Sequence, residues 1–197
     1  MRSRFVVSSG FVAVLVMTVF GFGTPARAQE KGKVGLTMGY PSSVGIVYHL
    51  TDKIAIRPEL NIAQASTETN VPTLAGVSVG TTTVSSSTWA IGTGVSGLFY
   101  VRQWDDLHLY VSPRWTYSHV TSSDSGLTSG NDNSVNTWSL TGSVGAQYAL
   151  GKRFGVFGEV GFGYQHSRQT GSGSPIQLEL TGHVVGTRTG VGVILYF

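Results

Sequence analysis

The sequence predicts an all-β chain, an eight-stranded antiparallel up-and-down transmembrane β-barrel. Three observations carry that expectation. Large apolar residues alternate with small or polar ones through most of residues 33–197, the two-residue period of strands whose faces meet different surroundings. The breaks between the alternating runs are short and long by turns. Aromatic residues also recur ten positions apart on the apolar face. Ten residues at about 3.3 Å each, tilted by about 40°, rise about 25 Å, the height of the apolar band of a membrane barrel.

Before the strands, residues 1–28 read as a secretory signal peptide: Arg2 and Arg4, an apolar run over 5–23, then Ala26-Arg27-Ala28 as a small-x-small cleavage site. Residues 29–197 remain as one barrel domain. The 13 Lys+Arg of the whole chain fall to 10 when Arg2, Arg4 and Arg27 leave, against 10 Asp+Glu. A neutral mature chain offers nucleic acid no electrostatic footing. Without cysteine there is no disulfide scaffold, thiol nucleophile or thiolate metal site. No later stretch has the roughly 18 consecutive apolar residues of a membrane helix, so a membrane-bound mature chain must cross as strands.

The strands follow in order. Seven clear ones are expected at about 44–50, 54–67, 82–102, 107–121, 135–150, 154–168 and 182–197. The short breaks Thr51-Asp52-Lys53, Gln103–Asp106 and Gly151-Lys152-Arg153 act as periplasmic turns. The longer ones near 69–80, 123–134 and 170–177, rich in Gly, Ser, Thr and Asn, act as outer loops. A bacterial barrel has an even number of strands, and 44–50 runs down into a short turn, so an ascending partner must precede it. Residues 33–40 supply it, with Val34, Leu36, Met38 and Tyr40 alternating with Gly35, Thr37 and Gly39, followed by a tight turn at Tyr40-Pro41-Ser42-Ser43. Pro58 and Pro113 each remove a ladder donor and are expected to mark local irregularities.

The bulky face carries Ile54, Ile56, Leu60 and Ile62 on the third strand and Leu109, Val111, Trp115 and Tyr117 on the fifth; the opposite face carries Ala55, Arg57, Glu59 and Asn61, then Tyr110, Ser112, Arg114 and Thr116. A soluble barrel of the lipocalin kind would turn the bulky set inward. An eight-stranded barrel has an interior only just wide enough for side chains, so this many Trp, Phe, Tyr, Leu and Ile do not fit there. Lipid must touch the bulky face. Trp89, Tyr117, Trp138 and Tyr164 then form an outer aromatic girdle, and Phe99, Tyr148, Phe154 and Phe197 an inner one.

With these features the mature region resembles the small outer-membrane barrels of the OmpA/OmpX type. Its last strand, Gly192-x-x-Leu195-x-Phe197, is similar to the C-terminal signal that the bacterial barrel-assembly machinery recognises. The resemblance implies an integral protein of a Gram-negative-type outer membrane, with membrane lipids and the assembly machinery as partners. It includes no peptidoglycan-binding domain after Phe197. Kinship of fold does not transfer an activity.

The inward-facing charges expected from parity are Arg57, Glu59, Arg102, Arg114, Glu159 and Arg188, with Arg57 and Arg102 near their periplasmic turns and the others nearer mid-height. Unpaired buried charge is very costly, so mutual ion pairing that plugs the lumen is the expected arrangement. The alternative is a narrow porin-like channel, in which four arginines against two glutamates favour anions. Some eight-stranded barrels process lipid A with a His and a Ser or acid at the outer rim. Here the candidates are His166-Ser167, split across the wall by parity, and His119 with Thr121 and Ser122, and no acid is spaced to orient either histidine. No enzyme activity and no cofactor is expected. His49, His108 and His183 fall on separate strands without clustered ligands, which does not support a metal site. Asp105-Asp106 reads as a solvated turn. The outer tips are poor in the aromatic and arginine residues that anchor interfaces. A structural or envelope-interaction role is the expectation these features leave.

Overall fold

A computed structural model of the chain describes residues 31–40, 43–75, 78–125, 131–172 and 179–197. The expected signal peptide and the centre of the first outer turn lie outside the described residues. Eight strands run in order: β1 (Val34–Tyr40), β2 (Ser43–Thr51), β3 (Ile54–Ala75), β4 (Ser78–Gln103), β5 (Leu107–Ser125), β6 (Asn131–Ala149), β7 (Phe154–Ser172) and β8 (Glu179–Tyr196). Each pairs antiparallel with its sequence neighbour, and β1 pairs with β8 from Gly35↔Tyr196 to Tyr40↔Val191, closing the ring. Closure satisfies every edge at the height of the seam, the condition for a sheet to lie in hydrocarbon.

The two faces divide by size. Val44, Ile46, Leu60, Ile62, Val144, Val160 and Phe162 point outward and are exposed, as are Trp89 and Trp115. Inside, Tyr110, Tyr196, Leu98, Ile194 and His49 are fully buried. Glycine makes room for them. A Cβ on Gly145 would stand 2.5 Å from the Tyr110 ring, and one on Gly192 would stand 2.5 Å from both Phe157 and the Met38 carbonyl. Of the girdle residues, Tyr117, Tyr164, Phe99, Tyr148, Phe154 and Phe197 are exposed, and Trp138 is half-buried against its neighbours.

The strands run further at their outer ends than the alternation indicates. β3 and β4 stay paired to Ala75↔Ser78, so most of the stretch expected as an outer loop at 69–80 is a two-stranded ribbon. β5 reaches Ser125, β6 begins at Asn131, β7 reaches Ser172 and β8 begins at Glu179. These extensions are rich in Thr and Ser. Such residues sustain an antiparallel ladder in water without an apolar face, so periodicity does not report them.

Pro58 and Pro113 interrupt ladders without shifting them. Pairing of β2 with β3 passes from Gly45↔Glu59 to Tyr48↔Ile56, and that of β4 with β5 from Ser96↔Arg114 to Phe99↔Val111, in step on both sides. The irregularities in register lie elsewhere, between His49 and Thr51 and between Tyr100 and Arg102, each beside a short turn.

Candidate functional site

The middle of the barrel holds a neutral four-charge cluster built from three strands. Arg57 and Glu59 are two residues apart on β3 and therefore share its inner face. Arg57 donates from Nε to Glu59 Oε1 at 2.9 Å and from Nη2 to Glu159 Oε1, on β7, at 2.7 Å. Arg114 of β5 pairs through Nη2 with Glu59 Oε2. Ser96 donates to Glu59 at 3.0 Å and Tyr110 to Glu159 at 2.9 Å. The Phe157 ring lies 5.0 Å from the Arg57 guanidinium. Arg57, Glu59 and Glu159 are all buried. Arginine suits the central position because its planar fork meets two carboxylates at once. Pairing and hydrogen bonding offset the desolvation that isolated charges would suffer there.

A second, uncharged layer fills the lumen toward the short turns. Tyr100 donates to Gln147 Oε1 at 3.1 Å, Gln147 Nε2 donates to the Tyr196 hydroxyl at 2.8 Å, and that hydroxyl lies 3.3 Å from His49 Nε2. Tyr100 also stacks on His49 at 5.7 Å and meets the edges of Tyr110 at 5.5 Å and His108 at 6.4 Å. Side chains from β2, β4, β5, β6 and β8 thus meet across the axis.

Of the six inward charges expected from the sequence, four come together: Arg57, Glu59, Arg114 and Glu159. Arg102 does not. Tyr100 pairs with Tyr110 but Arg102 with Leu109, leaving Val101 as an extra residue. A bulge of one residue reverses the faces that follow it. Arg102 is accordingly exposed on the outside, 5.4 Å over the Trp104 ring. Arg188 is half-buried opposite Gly161 and takes no part in the cluster. Phe157 and Tyr100 are core residues that sequence reasoning missed. Both sit on the inner parity of their strands, and that parity was the signal available to find them.

On the outside, at the ends of the strands away from the short turns, polar and aromatic side chains form two groups. Tyr117 donates to Asn136 Oδ1 at 2.9 Å, and His119 is held at Nδ1 by Asn136 at 2.7 Å and at Nε2 by Thr121 at 3.2 Å. Trp138 lies 5.5 Å from both Tyr164 and His166. His183 is not isolated as its separate strand implied: it is the cross-strand partner of His166, because the β7–β8 hairpin folds residues 17 positions apart onto one another. Further out, Arg168 and Glu179 form an exposed ion pair, and the carboxylate raises the arginine's already high pKa. Gly192 and Leu195 sit in the β1–β8 seam and Phe197 is exposed at the end that carries the short turns.

No protein-family model matches the sequence, and no curated protein matches it. Solved structures do. A major outer membrane protein from Thermus thermophilus superposes with a TM-score of 0.54 at 13% identity, covering 84% of this chain and 98% of that one. The N-terminal β-barrel domain of Pseudomonas aeruginosa OprF gives a TM-score of 0.41 at 12% identity over 86% of this chain and all of that one. Ail, the attachment invasion locus protein of Yersinia pestis, gives 0.38 at 13% over 85% and 99%. At such identities the likeness is one of architecture, and the Thermus protein is the match that bears weight. The chain has the fold of the small outer-membrane β-barrels.

Proposed function

We propose that this chain is an integral outer-membrane barrel with a structural or envelope-interaction role, its lumen closed by its own side chains. It stands in lipid through its bulky outer face and is a client of the barrel-assembly machinery through Gly192, Leu195 and Phe197. The observation that carries the closed lumen is the single guanidinium of Arg57 bridging Glu59 and Glu159 from opposite strands, backed by the Tyr100–Gln147–Tyr196–His49 layer. An ion crossing that centre would have to break charge-assisted hydrogen bonds in a low-dielectric interior. The reading is non-catalytic: His119 is engaged at both ring nitrogens by Asn136 and Thr121, as befits an interfacial anchor.

Single-channel recording on the purified protein in planar bilayers tests this. Silence is expected from the native protein, with steps appearing when both layers are cut back by replacing Arg57, Glu59, Glu159, Tyr100 and Tyr196 with alanine. Regular conductance steps from the unmodified barrel would favour a narrow, anion-preferring pore instead.

A further inference from the structure

The paired histidines of β7 and β8 lie outside the lumen chemistry, and their geometry is that of a chelate. The Nδ1 atoms of His166 and His183 face each other at 3.2 Å, with ring centroids 4.7 Å apart. The Tyr164 hydroxyl reaches the same His183 Nδ1 at 2.6 Å. Three potential donor atoms therefore converge on one small volume, two of them on a single nitrogen that has only one lone pair. Two imidazole nitrogens bound to one ion at about 2.0–2.1 Å stand about 2.9 Å apart at a right angle and about 3.3 Å apart at the tetrahedral angle. The observed 3.2 Å falls between them.

We propose that His166 and His183 form a binding site for a late first-row divalent transition ion at the outer rim, with Tyr164 at its edge. Imidazole suits copper, nickel and zinc, and copper leads the affinity order. Cross-strand pairing fixes both ligands without a loop, since the two residues face one another on adjacent strands. His183 is exposed and His166 half-buried, so the site opens to the headgroup and water side, and waters complete the coordination. Among the described residues no three His, Cys, Asp or Glu side chains gather round one ion. The site is thus an open two-histidine one and binds reversibly rather than as a structural centre.

Trp138 provides the readout, its ring 5.5 Å from that of His166. The folded, detergent-solubilised barrel, free of any polyhistidine tag, is titrated with Cu2+ while tryptophan emission is followed. Saturable quenching with one ion per chain is expected, together with an electron-spin-resonance signal split by two nitrogens. Removing even an outer partner of a metal ligand weakens binding by about 10–100-fold, so His183→Asn and His166→Asn should each move the midpoint up by about tenfold or more. His119→Asn, on the same rim but in a different hydrogen-bonded group, should leave it in place, and Trp138→Phe should remove most of the quenching without changing stoichiometry. Circular dichroism of every variant confirms the barrel is intact. Quenching that is linear to millimolar copper, or a midpoint that ignores both histidine variants in intact barrels, would overturn the site and leave the pair as a hydrogen-bonded interfacial anchor.

Discussion

Glu59 is the residue on which the core turns. Its carboxylate meets Arg57, Arg114 and Ser96 together, whereas Glu159 meets Arg57 and Tyr110. Removing one partner of a buried ion pair strands the other charge, a loss of about 3–5 kcal/mol. Glu59→Ala is therefore expected to lower the unfolding free energy of the barrel, read from urea titration in lipid vesicles, by that order, with a lower midpoint. Glu159→Ala should do less, because Arg57 keeps Glu59, and Arg102→Ala should stay within about 0.5 kcal/mol, as surface changes do. Equal midpoints for native and Glu59→Ala proteins would show that the cluster holds nothing together. Arg102 also shows where reading by residue stops. The strict alternation from Phe99 places it inside, and one extra residue at Val101 turns it out to Trp104. Alternation registers parity but not a one-residue bulge. Arg57 and Glu59 were legible because Pro58, between them, interrupts the ladder without shifting its register.

At the scale of elements, small residues decide which strands can carry large ones. Tyr110 on β5 lies flat against the β6 wall because its register partner is Gly145. Gly145→Ala pushes a methyl into that ring from a strand that cannot retreat. Overpacking of this kind is worth about 1–3 kcal/mol, and the loss should show as a lower thermal midpoint. A midpoint equal to the native one would mean the inner wall has slack. The expected strand centres all hold, because each strand there has a bulky exposed face and a small or polar inner one. Their outer ends were illegible for the complementary reason: residues 62–70 of β3 are exposed on both faces, and a pattern needs two different solvents. His183 was legible as a strand residue, but its contact with His166 depends on hairpin register, which local periodicity does not contain.

Taken as a whole, the ring is uneven. β1 has 7 residues and β2 has 9, whereas β3 to β8 have 18 to 26. Free energies of local opening are lowest where ladders are short. Hydrogen exchange in detergent should therefore release the amides of Thr37 and Ile46 before those of Val144 and Val160 on β6 and β7. Uniform protection round the ring would show that closure is no weaker at β1.

The same unevenness shapes the mouth. β3 leaves β2 behind at Val44↔Leu60, and from Asn61 to Ala75 the described residues pair it with β4 alone. One flank of this end is a ribbon that β3 carries for 15 residues, Asn61 to Ala75, and the other is a low sill ending at Tyr40, which stands 76% exposed. Above Leu60 the ribbon is therefore held by one neighbour instead of two, like a post braced on a single side.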